Sequence, residues 1–568
     1  MRICCPLILL LAAVASAQPL RSLKAVPVPT PPNLSQYVRD EAALSTLGKA
    51  LFWDMQVGSD GRTACASCHF HAGADHRPQH QLADPQNPFP LNTPVTARNF
   101  PFRELSDPGN RNSTVLRDTS MRYGSAGLVR RIFEDIVPGQ AVEAGRDGMD
   151  KPEFMMGDLQ TRRVTSRNTP SVINSVFSVR SFWDGRAQRF FNGFTVTGTA
   201  SEAPGALESV DGVLRRSAVR MDMSGLASQA VGPALDHLEM SYEGRTWPKL
   251  GKKMLSLAPL AFQRVSANDS VLGALARAEG RGLQDRHTYL AMIQAAFAPR
   301  LWESTQLVDA KGELIDGRFG APESTSEFTQ AEYNFVLFWA LSVQKYQATL
   351  VSDDTPFDRF IAGDRGALTA QEQEGLQLFQ NGNRCTECHG GAEFSAVSYT
   401  ASGVANRANH AFDRTGVRPI AEDIGSGNGS FKSIGLRNIE FTGPYFHNGG
   451  TATLEQVVDF YRRGGDFTPV ANDLRPFNTN TGQRAALVAF LKALSDDRVR
   501  FQRAPFDHPE LCVPSGHTDA GETWLAVPAV GADGLQVALQ TFDEMLRGVG
   551  EDGSRAHAMK EACAAPLP

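Results

Sequence analysis

Residues Thr63–Gly73 read TACASCHFHAG, and this stretch decides the interpretation of the chain. Cys65 and Cys68 stand three residues apart, and His69 follows directly. The pattern recurs as CTECH at residues 385–389. Two thiols at this spacing can add across the two vinyl groups of a haem, while the adjacent imidazole binds the iron from one face. Two copies in one chain predict two covalently attached haems c.

The second site would consist of Cys385, Cys388 and His389, with His69 and His389 as the proximal iron ligands. The alternatives are a zinc ion held by four cysteines, or disulfides. The two motifs lie about 320 residues apart, and each ends in histidine. Both features favour haem attachment over the alternatives.

Composition excludes several classes of protein. The chain has 568 residues, enough for about three domains and a sizeable core. It is 42% hydrophobic and 21% charged, with a formal net charge of −6. Nothing in this balance indicates nucleic acid or an anionic membrane as a partner.

The amino terminus, residues 1–17, predicts export. Arg2 precedes a short apolar run, and Ala15-Ser16-Ala17 matches a signal-peptide cleavage site. The run is too short to span a membrane, and no other run reaches ~18 apolar residues. We therefore expect a periplasmic protein. In an oxidising compartment Cys512 and Cys563 can pair, although two separate buried thiols are the alternative.

Features around the two haem motifs repeat in the same order. G-x-x-L-F precedes each motif, an Arg-Asn pair follows it, and an aromatic turn comes next. We predict a mainly α fold of two tandem cytochrome c-like haem domains with long loops and insertions. The predicted division is residues 18–340 for the first haem domain, 341–510 for the second, and 511–568 for a carboxy-terminal extension.

Several helices can be located from their start signals. Thr369 and Thr453 each begin a helix with a capping box. The apolar segment 328–346 predicts a buried helix joining the halves, whereas the Pro- and Gly-rich stretches 77–110 and 136–160 predict long loops.

The chain resembles the bacterial dihaem cytochrome c peroxidase family, including its MauG-like branch. The resemblance covers most of residues 40–500, outside the 241–328 insertion and the tail. It is carried by LGKALFWD…CASCH, RNTPSVIN, FWDGRA, GPALDHLEM, PFDRFIAGD, CTECHGG, LRNIEFTGPYFHNGG and TLEQVVDFYRRGG. In this family the first haem reacts with peroxide and the second handles electrons.

The resemblance assigns roles near the first haem. Trp183 would lie between the haems and mediate electron transfer, unless it is only a core residue. Gln229 and Glu239 would lie above the iron, where one carboxyl group can take a proton from one peroxide oxygen and deliver it to the other. The alternative for Glu239 is a solvated side chain. Asp236-His237 stands where the family usually has Asn-Pro before that glutamate, and His237 is either a second distal group or a surface residue.

The second haem differs from that of usual members, which carry a methionine ligand. Residues 389–510 contain no methionine, and Tyr461 stands at the corresponding position. The resemblance to MauG-like members implies that Tyr461 binds this iron. A packed aromatic is the alternative, and His410 and His447 are the rival ligands. A phenolate oxygen would favour ferric and higher iron states.

Calcium is the remaining cofactor that the resemblance implies, held between the domains. Asn168, Thr442 and Pro444 occupy the matching positions and offer the hard oxygen ligands that calcium prefers; Asn168 in a simple turn is the alternative. The polar loop with His71, His76 and His80 is expected to be solvated, although in some relatives a loop histidine blocks the peroxide site.

These features predict an exported dihaem peroxidase-like enzyme. It would use hydrogen peroxide to form high-valent haem iron and oxidise either a small periplasmic cytochrome or cupredoxin, or a protein residue as MauG-like proteins do. The alternatives are an electron-transfer cytochrome in which both irons are fully ligated, and a dihaem oxygenase.

Overall fold

The computed structural model describes residues 19–77, 82–83, 95–198, 205–382, 385–402, 412–467, 474–518, 521–548 and 563. The predicted signal peptide, His80 and His410 lie outside these residues. Within the described ranges, no helix has both the length and the apolar character needed to cross a membrane.

The α-helices of the described residues are short, the longest having 13 residues. In chain order they are α1 (Glu41–Trp53), α2 (Ala66–His69), α3 (Gly225–Ala230), α4 (Trp247–Leu255), α5 (Tyr289–Ala296), α6 (Gln330–Tyr333), α7 (Phe335–Gln347), α8 (Pro356–Ile361), α9 (Ala370–Gln377), α10 (Tyr399–Ser402), α11 (Leu454–Arg462), α12 (Thr481–Lys492), α13 (Asp497–Arg500) and α14 (Phe542–Arg547).

The strands of the described part of the chain pair in twos, always antiparallel. The pairs are Leu82–Ala83 with Arg122–Tyr123, Arg103–Leu105 with Val115–Asp118, Arg131–Asp135 with Ala144–Asp147, Met155–Met156 with Leu159–Gln160, Ala206–Val210 with Val213–Ser217, Gln306–Val308 with Leu314–Phe319, Phe412–Asp413 with Phe431–Lys432, and Leu511–Thr518 with Gly521–Val527.

The fold is therefore a mixture of helices and small hairpins, and the prediction of a mainly α chain was wrong in this respect. Part of the error lies in the stretches 77–110 and 136–160, which we expected to be loops. Three of the hairpins lie in or beside them, so that backbone groups of these long connections are hydrogen-bonded within the chain.

The helices predicted from capping signals are confirmed. The side chains of Thr369 and Thr453 each accept a hydrogen bond from the backbone amide three residues on, at the starts of α9 and α11. The buried segment 328–346 forms α6 and α7, which are separated at Asn334. Most of α7 is buried, as expected for a helix in the centre of a core.

Two large apolar cores organise these helices. The first contains α1, α5 and α7, together with the carboxy-terminal residues Leu511, Cys512, Val513 and Leu525. The second is built on α9, α11 and α12. The tail hairpin therefore packs on the first core although it follows the second in sequence. The disulfide between Cys512 and Cys563, with Cα atoms 5.9 Å apart, confirms their predicted pairing.

The repeated G-x-x-L-F motif has the same structural role in both cores. A Cβ atom on Gly48 of α1 would lie 1.9 Å from the backbone oxygen of Ser342 in α7. A Cβ atom on Gly375 of α9 would lie 2.0 Å from the backbone oxygen of Ala486 in α12. At the glycine before each Cys-x-x-Cys-His motif, a pair of helices thus packs with backbones in contact where only glycine fits.

We expect Gly48→Ala and Gly375→Ala each to lower the free energy of unfolding by about 1–3 kcal/mol, the usual cost of overpacking a core. Urea unfolding followed by circular dichroism measures this effect. Gly482→Ala is the matched control, since the nearest atom to its added Cβ lies 3.4 Å away. Equal midpoints for all three variants and the parent protein would contradict the packing role.

Candidate haem sites and the distal carboxyl group

The first motif forms a helical turn, and a hydrogen bond to the backbone orients its histidine. α2 carries Cys68 and His69, and the Nδ1 atom of His69 lies 2.7 Å from the backbone oxygen of Gly73. A carbonyl oxygen only accepts hydrogen bonds, so Nδ1 must carry the proton, and Nε2 keeps the lone pair that can bind iron. Burial lowers the pKa of His69, which keeps the imidazole neutral, as a metal ligand must be.

The second motif has the same arrangement. The amide of His389 donates to the backbone oxygen of Cys385 at 2.8 Å, and Nδ1 of His389 lies 3.1 Å from the backbone oxygen of Phe394. Burial also lowers the pKa of His389. Its Nε2 is therefore the nitrogen left for iron.

These observations fit haem better than zinc or disulfides. None of the four motif cysteines is in a disulfide. Among the residues that the structure describes, no three His, Cys, Asp or Glu side chains gather as a metal cluster. Beside His389 lies a cavity of about 270 Å³, lined by both motif thiols. Two thiols, one oriented imidazole and an adjacent cavity suit a covalently attached haem c.

Glu239 faces the first motif. The segment from α3 to Met240 carries both Gln229 and Glu239, and the side chains of these two residues do not hydrogen-bond to each other. The Glu239 carboxyl group lies close enough to the thiols of Cys65 and Cys68 to raise their pKa values, after the larger effect of burial.

The environment of Glu239 suits proton transfer. Burial, and then the negative charge of Asp236, raise the pKa of its carboxyl group to about 7, with Arg186 acting in the opposite direction. No described residue donates a hydrogen bond to this carboxyl group. The alternative of a solvated side chain is thus not favoured, because Glu239 is half-buried and its charge acts on the thiols of the motif.

His237, two residues earlier, is exposed, and its charge acts on Glu243 rather than on the motif. Its backbone oxygen accepts a hydrogen bond from Arg163 at 3.3 Å. Of the two interpretations of His237, the structure favours the surface residue.

Trp183 is 8% exposed and lines the cavity beside His389. Its indole nitrogen donates to the backbone oxygen of Asn168 at 2.7 Å, and its ring meets that of His447 edge-on at 6.2 Å. The chain turns sharply here, with positive φ angles of 64° at Phe182 and 68° at Gly185.

The segment 168–172 joins this tryptophan to the first motif. At one end Asn168 accepts the indole hydrogen bond, and at the other end the amide of Val172 donates to the backbone oxygen of Gly73 at 3.0 Å. Gly73 is the residue that orients His69. Trp183 therefore stands beside one site and is connected to the other through a single extended segment.

An arginine holds the Trp183 turn against the second half. Arg167 pairs with Asp184 at 2.7 Å and with both carboxylate oxygens of Asp423 at 2.7 and 2.8 Å. Its repeat counterpart Arg437 makes a similar two-point pair with Asp358, at 2.7 and 2.9 Å. The repeated Arg-Asn pair in the sequence indicated that these two arginines have corresponding roles. It did not predict which aspartates they pair with.

Tyr461, on α11, lines the same cavity as His389. Burial, followed by the nearby thiols of Cys388 and Cys385, raises the pKa of its phenol. The structure thus brings Tyr461 and the second motif together. His447 also lines the cavity, but its ring stacks on Phe431 at 3.6 Å.

The residues predicted to bind calcium lie on one wall of this cavity. The side-chain amide of Asn168 donates to the backbone oxygen of Pro444, and the backbone amide of Asn168 donates to the backbone oxygen of His447 at 2.7 Å. Thr442 precedes Pro444 in the same loop and hydrogen-bonds to the backbone oxygen of Ile439 at 3.4 Å. The carbonyl oxygen of Pro444, which Asn168 contacts, is of the type that calcium prefers.

The expectation that His71 and His76 are solvated was wrong. Both are 7% exposed, and their rings stack at 3.8 Å. Phe542 of α14 meets His76 edge-on at 5.7 Å. The carboxy-terminal segment packs against this loop, a contact between residues too distant in sequence to be predicted.

The fold and the two sites define a c-type cytochrome with two haem-binding motifs. The family model for di-haem cytochrome c peroxidase matches residues 42–116 and 142–366, more than half of the chain. The chain therefore belongs to the dihaem cytochrome c peroxidase family.

Curated relatives match parts of the chain. The cytochrome-c peroxidase IdrP2 of Denitromonas iodatirespirans is 35% identical over 180 residues, which are 27% of this chain and 48% of that protein. The methylamine utilization protein MauG of Methylorubrum extorquens is 34% identical over 150 residues, 26% of this chain and 41% of that protein. The cytochrome c peroxidase Ccp of Escherichia coli is 24% identical over 430 residues, 73% and 64% of the two chains.

The chain thus spans about half the length of the first two relatives. Among solved structures, a MauG-like protein associated with microbial copper homeostasis aligns over 86% of this chain and 95% of its own, with 18% identity and a TM-score of 0.44.

We expect the Glu239 carboxyl group to titrate near neutral pH, because burial disfavours its ionised form. Infrared difference spectra between the parent protein and Glu239→Gln, recorded at a series of pH values, measure this directly. The band of the protonated carboxyl group should disappear with a midpoint of about 7, and a midpoint near 4.5 would show that the group is solvated.

Proposed function

We propose that this chain is an exported enzyme that carries two covalently bound haems c and uses hydrogen peroxide to oxidise an electron donor or a protein residue. The observation that carries the proposal is the contrast between the two motifs. The phenol of Tyr461 shares the cavity of the second motif, whereas a carboxyl group with a pKa of about 7, that of Glu239, lies near the thiols of the first. The phenol of Tyr461 is suited to binding iron at the second motif, whereas the carboxyl group of Glu239 is suited to proton transfer at the first.

Cys65, Cys68 and His69 would hold the first haem, which would supply the redox chemistry for reducing peroxide. Glu239 provides the proton transfer: in its ionised form it takes the proton from one peroxide oxygen, and it then gives that proton to the other oxygen as water leaves. A pKa of about 7 populates both forms near neutral pH. Gln229 lies on the same segment and would help to orient peroxide. Overall, two electrons and two protons convert one peroxide to two waters.

Electrons would reach the first site from the second through Trp183, which lines the cavity beside His389. Tyr461 would be a further ligand of the second iron, because it lines the same cavity as His389. Because a phenolate stabilises ferric iron, this haem would share oxidising equivalents rather than act as a high-potential electron store. This property favours the MauG-like use of a protein residue as reductant over a small cytochrome or cupredoxin, the other candidate donors.

Two further assignments belong to the proposal. Calcium would bind at Asn168, Thr442 and Pro444 and fix the wall against which Trp183 packs. The division into haem domains at 18–340 and 341–510, with an extension at 511–568, follows the repeated motifs, and the protein would act in the periplasm after removal of residues 1–17.

We expect the parent protein to change its Soret spectrum rapidly on mixing with hydrogen peroxide. Glu239→Gln should slow this reaction by about 10²-fold or more, the usual contribution of a positioned acid–base group. Glu243→Gln is the matched control, because that carboxylate lies four residues on, in an ion pair with Arg130 at 2.9 Å. Stopped-flow absorption measures all three proteins. A parent protein inert toward peroxide would favour the electron-transfer cytochrome instead.

We expect Tyr461→Met to raise the reduction potential of the second haem, because thioether sulfur favours ferrous iron more than phenolate does. The shift should be on the order of 0.1 V or more, within the roughly 0.8 V over which axial ligands tune haem. Spectroelectrochemical titration measures it. Tyr445→Phe is the control, since Tyr445 lines the same cavity and its hydroxyl donates to the backbone oxygen of Ile439 at 3.1 Å. Equal potentials in the Tyr461 variant and the parent would exclude Tyr461 as a ligand.

A further inference from the structure

Glu239 lies on a turn that cannot hold it in place alone. The amides of Glu239 and Met240 both donate to the backbone oxygen of Asp236, at 3.2 and 3.0 Å, and the side chain of Asp236 accepts from the amide of Leu238 at 2.7 Å. The turn stands outside the α-helices: α3 ends at Ala230, and only a 3-10 helix of three residues, Pro233–Leu235, directly precedes the turn. A catalytic carboxyl group on such a segment needs support from elsewhere, because proton transfer requires fixed geometry.

Arg245 grips both ends of this turn. One terminal nitrogen of its guanidinium donates to the backbone oxygen of Ala234 and to that of Met240, the latter at 3.2 Å. The other terminal nitrogen donates to the backbone oxygen of Val57 at 2.8 Å and to Glu143 at 2.6 Å. The side chain of Arg245 is fully buried. It thus ties the residues on either side of Glu239 to the segment that leads into the first motif.

Glu143 is the fixed anchor of Arg245. Its side chain is fully buried and also accepts from Lys253 at 2.9 Å and from the hydroxyl of Ser59 at 2.6 Å. Burial raises the pKa of Glu143, but Arg245 and Lys253 outweigh burial and bring the pKa below its ordinary value. The direct contact of 2.6 Å between Glu143 and Arg245 holds the guanidinium, and it does not require Lys253.

The turn is also held from its opposite side. A Cβ atom on Gly127 would lie 1.8 Å from the backbone oxygen of Leu238, so the backbone of this neighbouring segment touches the turn next to Glu239. The amide of Ser59 donates to the backbone oxygen of Met240 at 3.0 Å. The turn therefore has little freedom while Arg245 is in place.

We infer that Arg245 is a positioning residue, which with its anchor Glu143 fixes the carboxyl group of Glu239 relative to the first haem motif. This inference rests on the proposed function of Glu239. Arg245 does not touch the reacting atoms; it acts through the backbone at Ala234 and Met240. Its charge is met by Glu143, so its effect on Glu239 is one of geometry.

Three variants test this role: Arg245→Met, Arg245→Lys and Lys253→Met. Arg245→Lys keeps a positive charge that can pair with Glu143. Its single ammonium group lacks the two terminal nitrogens of a guanidinium, so it cannot pair with Glu143 and also bind both carbonyl oxygens of the turn. Lys253→Met is the matched control, because Lys253 is equally buried and also pairs with Glu143, yet its other partner is the backbone oxygen of Gly58 rather than the turn.

The first readout is hydrogen exchange of the peptide that covers residues 232–242, measured by mass spectrometry on the haem-loaded protein without peroxide. We expect both Arg245 variants to exchange at least about ten times faster there, while Lys253→Met stays close to the parent protein. If Arg245→Met does not accumulate as folded protein, Arg245→Lys decides the outcome. Exchange equal to that of Lys253→Met would overturn the inference.

The second readout is the reaction with peroxide across pH. A misplacement of about 1 Å can cost on the order of 10²-fold in rate, so both Arg245 variants should react about 10- to 100-fold more slowly, with an altered pH midpoint. Lys253→Met should keep the midpoint of the parent. If the parent itself does not react, the proposed function fails, whereas the exchange experiment still tests whether Arg245 holds the turn.

Discussion

The structure of both sites depends on one hydrogen bond that occurs twice, from the Nδ1 atom of a motif histidine to a backbone oxygen. His69 makes it to Gly73 and His389 makes it to Phe394. Each bond fixes the tautomer and the direction of an imidazole whose Nε2 is then available to iron. The helices behind the motifs support this geometry, because Gly48 and Gly375 let the backbones of paired helices touch. What differs between the halves is the far side of each site, and that difference is the basis of the proposed chemistry.

The residue that orients His69 also connects the two sites. Gly73 accepts the amide of Val172, and four residues before Val172 the backbone oxygen of Asn168 accepts the indole of Trp183. Arg167 ties the Trp183 turn to Asp423 in the second half. A shift of one half relative to the other would strain these bonds. The same contacts that stabilise the joint between the halves therefore fix the path along which electrons would pass.

Local signals allowed much of this arrangement to be predicted. Three features are encoded by short stretches of sequence and could be recognised directly. They are the two Cys-x-x-Cys-His motifs, the capping boxes at Thr369 and Thr453, and the buried helix α7. The contacts that depend on distant residues were not predictable. The stacked pair His71 and His76 packs against Phe542, which lies far away in the sequence.

Hairpins were missed for a different reason. The loop of Asp211 and Gly212 joins two strands with positive φ at both positions, which is a recognisable hairpin signal, but its strands are short and lie within a region of Gly and Pro. Arg245 was missed because nothing in its neighbourhood in sequence shows that its partners are backbone oxygens of a turn. A side chain that binds backbone oxygens of a distant segment cannot be recognised from the sequence pattern, because any residue type can supply those oxygens.

The central claim is that one of two tethered haem irons keeps a vacant coordination position beside a carboxyl group, while the other is closed by a protein ligand. Low-temperature electron paramagnetic resonance of the fully ferric protein tests this claim most directly. The account predicts two signals of equal weight, one from a high-spin haem and one from a low-spin haem. Two low-spin signals, or a single haem in the whole chain, would contradict it.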